Sequence, residues 1–316
     1  MPDQPSKEHS LLRAKVLNDT GNYAYNMGDL VSAERLHTQA HEIRQSHGER
    51  ALVAGSLNNL GLVHRERGDY DRSLALTREA LRINEDTQHK SWLLWKGMNL
   101  NNIGIILDRQ GEHQAAVDSQ LASIEAFQQA SPDWVPMAQT DMAAALINLG
   151  HRDEAHSLLI SVLKARRLPR DDKRVAAALR GLARLAPEDQ AEVAIGWLSL
   201  SLQLSVPIFD RLGEVAALAG LVSHAAQARR LTVGARAAGV LDALHEETGI
   251  ALSTWRQRAL AEDVSTLQEL DPRVYLAEYS KSYDATKSGQ LSTLGALGQP
   301  PGDAQLDHEL DRLTAE

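Results

Sequence analysis

Apolar residues recur along the chain at the three- and four-residue intervals of amphipathic helices. Leu57, Leu60 and Val63 form one such series, and a second joins Leu100, Ile103 and Leu107. Because residues three and four apart share one face of a helix, each series predicts a helix with one buried side. The pattern indicates an all-α protein.

The helical pattern is repeated, and glycine marks the repeat. Segments starting at Leu17, Leu57 and Leu100 align on their first glycines, which are Gly21, Gly61 and Gly104. A second glycine follows seven residues later in each copy, at Gly28, Gly68 and Gly111. A fourth copy from Ala138 has Ala143 in the first place and Gly150 in the second. Spacings of 40 and 43 residues between the first three copies predict one helical hairpin per copy.

The two glycines have different expected roles. The first lets the second helix of the hairpin pack closely against the first helix. The second ends the first helix in a left-handed conformation, which is costly for other residues. Asp29, Asp69 and Glu112 then stand at the start of the second helix, where a negative charge suits the helix dipole. No copy can bury its apolar side alone, so the hairpins are expected to stack.

This pattern resembles the tetratricopeptide repeat, in a form longer than the usual repeat of about 34 residues. The resemblance is clearest over residues 17–165 and implies a right-handed α-solenoid of stacked antiparallel helix pairs. The family also implies a concave groove, lined by the first helix of each hairpin, that binds a peptide or a partner protein.

A second resemblance lies near residues 235–249, in the sequence ARAAGVLDALHEETG. It is similar to the end of the helical sensor arm of bacterial LuxR-type signal-transduction ATPase regulators. The nucleotide-binding loop and the DNA-reading helix of those regulators have no counterpart here. We expect four parts: a flexible N-terminus (1–10), clear repeats (11–168), degenerate hairpins with capping helices (169–298) and an acidic flexible tail (299–316).

Composition and charge exclude several functions. The absence of cysteine excludes disulfides, thiolate metal sites and cysteine nucleophiles, and it favours a reducing compartment. No apolar run approaches the ~20 residues of a membrane-spanning helix, and the polar N-terminus has no signal core. The net charge of −9 disfavours direct nucleic-acid binding. We therefore expect a cytoplasmic protein that binds neither membranes nor nucleic acids.

Candidate binding residues emerge when the copies are aligned on their first glycines. Asn18, Asn58 and Asn101 then share one position, three residues before the glycine. An asparagine amide both donates and accepts, so this column could hold an extended peptide backbone, with each hydrogen bond contributing ~0.5–1.5 kcal/mol. The same residues could instead brace the packing between repeats, and the sequence leaves both interpretations open. Further candidates on this face are Asn22, Tyr25, Arg65, Asp108, Arg109 and Asn148.

No nucleophile, base and acid stand in a catalytic arrangement, so we expect a non-catalytic protein without metal or cofactor. His37 and His41 are spaced to share a metal, but His37 occupies a bulky packing position of the repeat. The predicted function is a scaffold in bacterial regulation or signalling that binds a peptide or partner protein. The alternative is a small-molecule-sensing arm that regulates transcription or an ATPase in trans. Self-association, through an uncapped end of the array or through a tryptophan-bearing ridge, is a further expectation.

Overall fold

A computed structural model describes residues 6–165, 172–248, 250, 254–288 and 311–312. These residues contain no strand and fourteen principal α-helices. The first seven are α1 (Lys7–Asn26), α2 (Leu30–Ser46), α3 (Arg50–Glu66), α4 (Tyr70–Thr87), α5 (Trp92–Gln110), α6 (His113–Ala130) and α7 (Val135–Leu149). The others are α8 (Arg152–Lys164), α9 (Asp172–Leu185), α10 (Ala191–Ser205), α11 (Arg211–Gln227), α12 (Leu231–Thr248), α13 (Thr254–Leu270) and α14 (Pro272–Lys287).

The chain divides into two compact units, Met1–Ala145 and Leu146–Glu316. In the first unit α1 packs on α2, α3 on α4 and α5 on α6, while α2 also packs on α3 and α4 on α5. Short connections make successive helices antiparallel. This succession of helix pairs confirms the all-α, tetratricopeptide-like prediction for the fold.

The second glycine of each repeat ends its helix as expected. Gly28, Gly68, Gly111 and Gly150 have φ values of 79°, 81°, 87° and 85°. Asp29 then caps α2, because its carboxylate accepts a hydrogen bond from the backbone N–H of Ser32. Asp69 caps α4 in the same way through the N–H of Arg72. These local signals fix where each hairpin turns.

The first glycine of each repeat is the point of closest approach within a hairpin. A Cβ added at Gly21 would lie 2.8 Å from the His37 ring, and one at Gly104 would lie 2.6 Å from the Gln120 amide. At Gly61 the Cβ would lie 2.5 Å from the Thr77 hydroxyl. In all three hairpins the opposing residue stands sixteen positions after the glycine, so the hairpins share one register. His37 is thus a packing residue, and burial lowers its pKa to about 4.

The second unit continues with helix pairs of less regular sequence. Helices α9, α10, α11 and α12 pack in succession, and α14 lies against α12. Two glycines again allow close approach: a Cβ at Gly220 would lie 2.8 Å from Leu198, and one at Gly239 would lie 2.4 Å from the carbonyl of Tyr279. The hairpins therefore persist after the glycine pattern weakens.

The four-part division of the chain stays a prediction. The expected boundary at residues 168 and 169 lies outside the described residues, as do residues 1–5 and most of the tail 299–316. No helix in the described part of the chain combines the length and apolarity that a membrane span requires.

The crossing at Gly61 can be tested with two alanine substitutions in α3. Gly61→Ala should lower the free energy of unfolding by ~1–3 kcal/mol, because the new methyl group overpacks against buried Thr77. Gly55 has no neighbour within 4 Å of an added Cβ, so Gly55→Ala should raise stability by ~0.5–1 kcal/mol. Urea denaturation followed by circular dichroism measures both. Equal effects of the two substitutions would contradict the close crossing.

Candidate partner-binding face

In the first unit, the first helices of successive hairpins lie side by side and present polar residues to one another. We call this the odd-helix face. It consists of Asn18, Asn22 and Tyr25 on α1, Asn58, Asn59, Arg65 and Glu66 on α3, Asn101, Asn102 and Arg109 on α5, and Asp141 on α7. Its side chains are linked from helix to helix by hydrogen bonds.

Between α1 and α3 the links are made by asparagines near the surface. The Asn59 amide donates to the side-chain oxygens of Asn18, at 3.0 Å, and Asn22, at 3.2 Å. The Asn18 oxygen also accepts from the Arg44 guanidinium of α2, at 3.2 Å. Asn18 is half-buried and Asn22 is exposed. A partner can therefore reach this end of the face.

Asn58 lies deeper, between α3 and α5. Asn58 is only 3% exposed. Its side-chain oxygen accepts hydrogen bonds from the amides of Asn99 and Asn102, each at 2.9 Å. The oxygen of Asn99 in turn accepts from Asn84 of α4, at 2.8 Å. Asn58 thus braces two hairpins, which was the alternative role suggested by the sequence.

Asn101 also braces neighbouring helices. It is 2% exposed, and its amide donates to the Asp141 carboxylate at 2.9 Å. Its backbone carbonyl accepts from Gln120 at 3.1 Å. The asparagine column therefore differs along its length: Asn18 is half-buried, whereas Asn58 and Asn101 are enclosed by intramolecular contacts. A partner cannot touch the latter two without opening the packing.

Arg65 is the centre of an ionic cluster that joins α1, α3 and α5. Its Nε donates to Glu66 at 2.7 Å, and its terminal nitrogens donate to the Tyr25 hydroxyl at 3.1 Å and to Asn102 at 3.4 Å. The Tyr25 hydroxyl donates to Glu66 at 3.3 Å. Both charged side chains of the pair are about one-tenth exposed, so the ions are held in place before any partner binds.

The cluster fixes the charge states of its members. Burial raises the pKa of Glu66, but Arg65, Arg109 and the hydrogen bonds to Glu66 together bring it below its usual value. Burial raises the pKa of Tyr25, and the Glu66 charge adds to the effect. Burial also raises the pKa of Asp141, although Asn101 and the charges of Arg65 and Arg109 oppose this. The face therefore holds an ionised Glu66 beside an ionised Arg65, and a carboxylate at Asp141 that is costly to ionise.

The remaining candidates lie at the edge of the cluster or apart from it. Arg109 is exposed, and its charge acts on both Glu66 and Asp141. Asp108 contacts the His113 ring, with 2.7 Å between carboxylate oxygen and Nδ1. Asn148 belongs to the second unit, where its oxygen accepts from Arg184 at 2.8 Å.

Two important residues were missed by sequence reasoning, Asp141 and Asn99. The signal for Asp141 was present, because it stands two residues before Ala143 just as Asn59 and Asn102 stand two residues before their glycines. The polar column that links the helices is thus formed at two adjacent repeat positions. Asn99 had no such signal, since its equivalent in the second copy is Ser56.

A separate groove lies in the second unit, among α12, α13 and α14. Two adjoining cavities of about 290 and 590 Å³ share Asp242 and Val264 in their walls. The rings of Tyr275, Tyr279 and Tyr283 stack in a row with centroids 6.0 Å apart, and the Tyr279 hydroxyl donates to Asp242 at 2.8 Å. The three tyrosines therefore form a stripe along α14. Small-molecule sensing by this part of the chain stays a prediction.

Comparison with known families agrees with this geometry over part of the chain. The family model described as "Tetratricopeptide repeat" matches residues 12–86, which run from α1 to α4. No curated protein matches the chain. Tetratricopeptide repeats generally mediate protein–protein interactions and are typically non-catalytic. The resemblance of residues 235–249 to a regulator's sensor arm stays a prediction.

Removing the bracing side chain of Asn58 should destabilise the protein. Asn58→Ala leaves the buried amides of Asn99 and Asn102 without their acceptor, so the free energy of unfolding should fall by ~1–3 kcal/mol. The matched control is Asn26→Ala, which truncates an exposed asparagine and should change stability by less than about 0.5 kcal/mol. Urea denaturation measures both. If Asn58→Ala is as stable as the control, the bracing role is wrong.

Because the pKa of Asp141 is raised, replacing its carboxylate with a neutral amide should raise the melting temperature by an amount that depends on pH. Above its folded-state pKa the half-buried carboxylate is charged and partly desolvated, so Asp141→Asn should melt at a higher temperature than the wild type at pH 7. The gain should shrink as the pH falls toward the unfolded-state pKa of about 3.9, where the wild-type carboxyl is also neutral. Thermal melting at a series of pH values checks this. A lower melting temperature for the variant at pH 7, or a difference that does not change with pH, would contradict it.

Proposed function

We propose that this chain is a non-catalytic scaffold that binds an extended peptide segment of a partner protein on the odd-helix face. The observation that carries the proposal is the pre-positioned cluster of Arg65, Glu66 and Tyr25, with exposed donors beside it. A binding site gains affinity when its polar groups are already held in their bound positions, because less conformational entropy is lost on association.

The roles on this face divide by depth. Asn58 and Asn101 hold the helices in register and are not offered to the partner. The exposed Asn22 amide and the exposed Arg109 guanidinium are the groups that a peptide can reach. Arg109 lies in the field of Glu66 and Asp141, which orients its positive charge. A peptide with a carboxylate near Arg109 and free backbone amides near Asn22 fits this arrangement.

The odd-helix face extends across four helices. Hydrogen bonds connect four successive odd-numbered helices, from Asn22 on α1 to Asp141 on α7. An extended peptide crosses successive helices and so can contact each of them once. The sensor-arm resemblance of the later helices favours a place in bacterial regulation, which is part of this proposal.

Charge reversal of Arg109 tests the binding site. Peptides selected from a random library on the immobilised full chain are titrated calorimetrically against the wild type and Arg109→Glu. We expect the dissociation constant to rise about tenfold or more, since a hydrogen bond to a charged group contributes ~1.5–3 kcal/mol.

The matched control is Arg78→Glu, which reverses an exposed charge on α4, outside the odd-helix face. It should leave the dissociation constant within about twofold, because a distant exposed charge is screened by salt. Equal losses in the two variants, or none in Arg109→Glu, would remove the odd-helix face as the binding site.

A further inference from the structure

In the repeat register, one side of α1 corresponds to the side of α3 and α5 that packs against the preceding hairpin. We call this side the outer face of α1. The repeat register equates Val16 with Ser56 and Asn99, and Tyr23 with Val63 and Ile106. In α3 and α5 these positions are closed by the preceding second helix: α2 packs on α3 and α4 on α5. Ser56, for example, receives a hydrogen bond from Arg44 of α2 at 2.7 Å. Val63 and Ile106 are at most 1% exposed.

In α1 the same positions are open. Val16 is 57% exposed and Tyr23 is 63% exposed. Leu12, one turn before Val16, is 58% exposed and extends the apolar stripe, although its equivalent in α3, Leu52, is 42% exposed and is not covered by the preceding hairpin. An apolar helix face that is open to solvent promotes association. α1 keeps apolar side chains at positions where α3 and α5 are covered by a preceding helix.

The spacing of these residues matches a seam between two helices. Leu12, Val16, Asp19 and Tyr23 follow one another at intervals of four, three and four, which is the spacing of core positions in a coiled coil. A helix of complementary pattern is therefore the kind of partner that fits, just as α2 fits α3.

We propose that this face binds α1 of a second copy of the chain, with the two helices antiparallel. Antiparallel pairing sets Leu12 opposite Tyr23 of the second copy and Val16 opposite Asp19 of the second copy. Parallel pairing would set the two Asp19 carboxylates against each other, which is unfavourable.

Charge complementarity supports the second copy as the occupant. Lys15 and Asp19 form an exposed ion pair within one helix, at 3.1 Å. In the antiparallel pair, Val16 of the second copy faces Asp19 of the first copy, and Lys15 of the second copy is the neighbour of that Val16. The Lys15 ammonium group can therefore neutralise the Asp19 carboxylate of the first copy. The outer face of α1 thus carries both the apolar side chains and the opposite charges that the same face of a second copy requires.

The contact is small and so the dimer is weak. A single stripe on one helix buries less than the ~1,200–2,000 Å² of stable interfaces, so we expect weak association. Self-association should therefore depend on concentration. It is independent of the odd-helix face, and Arg109→Glu should leave it unchanged.

Sedimentation equilibrium of the full chain tests the dimer. The average mass should rise from 34.6 kDa toward twice that value between about 5 and 500 µM. Val16→Glu should hold the mass at that of the monomer throughout. Leu121→Glu, at another exposed leucine on α6, is the control and should dimerise as the wild type does. Circular dichroism confirms that each variant is folded. A monomeric wild type, or a Val16→Glu variant that still dimerises, would overturn the proposal.

Disulfide trapping tests the orientation, because the chain has no cysteine of its own. A mixture of Leu12→Cys and Tyr23→Cys chains, oxidised above the dissociation constant, should give mainly the mixed disulfide dimer. Leu12→Cys alone should cross-link at least tenfold less than the mixture. Predominant cross-linking of Leu12→Cys to itself would indicate parallel helices and would contradict the antiparallel pair.

Discussion

The fold depends on one close approach, repeated in each of the first three hairpins, between a glycine on the first helix and a polar side chain on the second. Gly21, Gly61 and Gly104 have no room for a Cβ, because His37, Thr77 and Gln120 fill the space. The opposing residue always stands sixteen positions later. This contact fixes how far the two helices slide past each other, and therefore which residues each first helix turns toward the next hairpin.

The shared register explains why asparagines and charges meet on the odd-helix face. Once successive first helices are aligned, the position three residues before the glycine on one helix meets the position two residues before it (before Ala143 in the fourth copy) on the next helix. Asn59 then reaches Asn18, Asn102 reaches Asn58, and Asn101 reaches Asp141. Buried amide groups require partners, and neighbouring hairpins supply the acceptors for the side-chain N–H groups of Asn59, Asn102 and Asn101. The same polar residues that hold the array together also lie beside the surface that we propose as the peptide-binding site.

The sequence predicted the helix pairs, the turns and the face, because glycine spacing and apolar periodicity are local signals. The sequence could not show whether Asn58 braces the helices or binds a partner, because the answer depends on its burial between α3 and α5. Asn99, which donates a hydrogen bond to Asn58, also has no equivalent asparagine in the second copy. The Arg65 cluster was found only in part for a similar reason. Tyr25 and Arg65 were recognisable as neighbours on the face, but Asp141, a half-buried carboxyl group whose charge acts on Arg65 from α7, lies in the copy where alanine replaces the first glycine.

A crystal structure of the full chain bound to a peptide selected against it would show directly whether the peptide lies across the odd-helix face, as we propose. We expect the peptide to cross α1, α3 and α5, with polar contacts to Asn22 and Arg109 and with the Asn58 hydrogen bonds intact. A peptide bound to α2, α4 and α6, or one that displaces the Asn58 contacts, would contradict it.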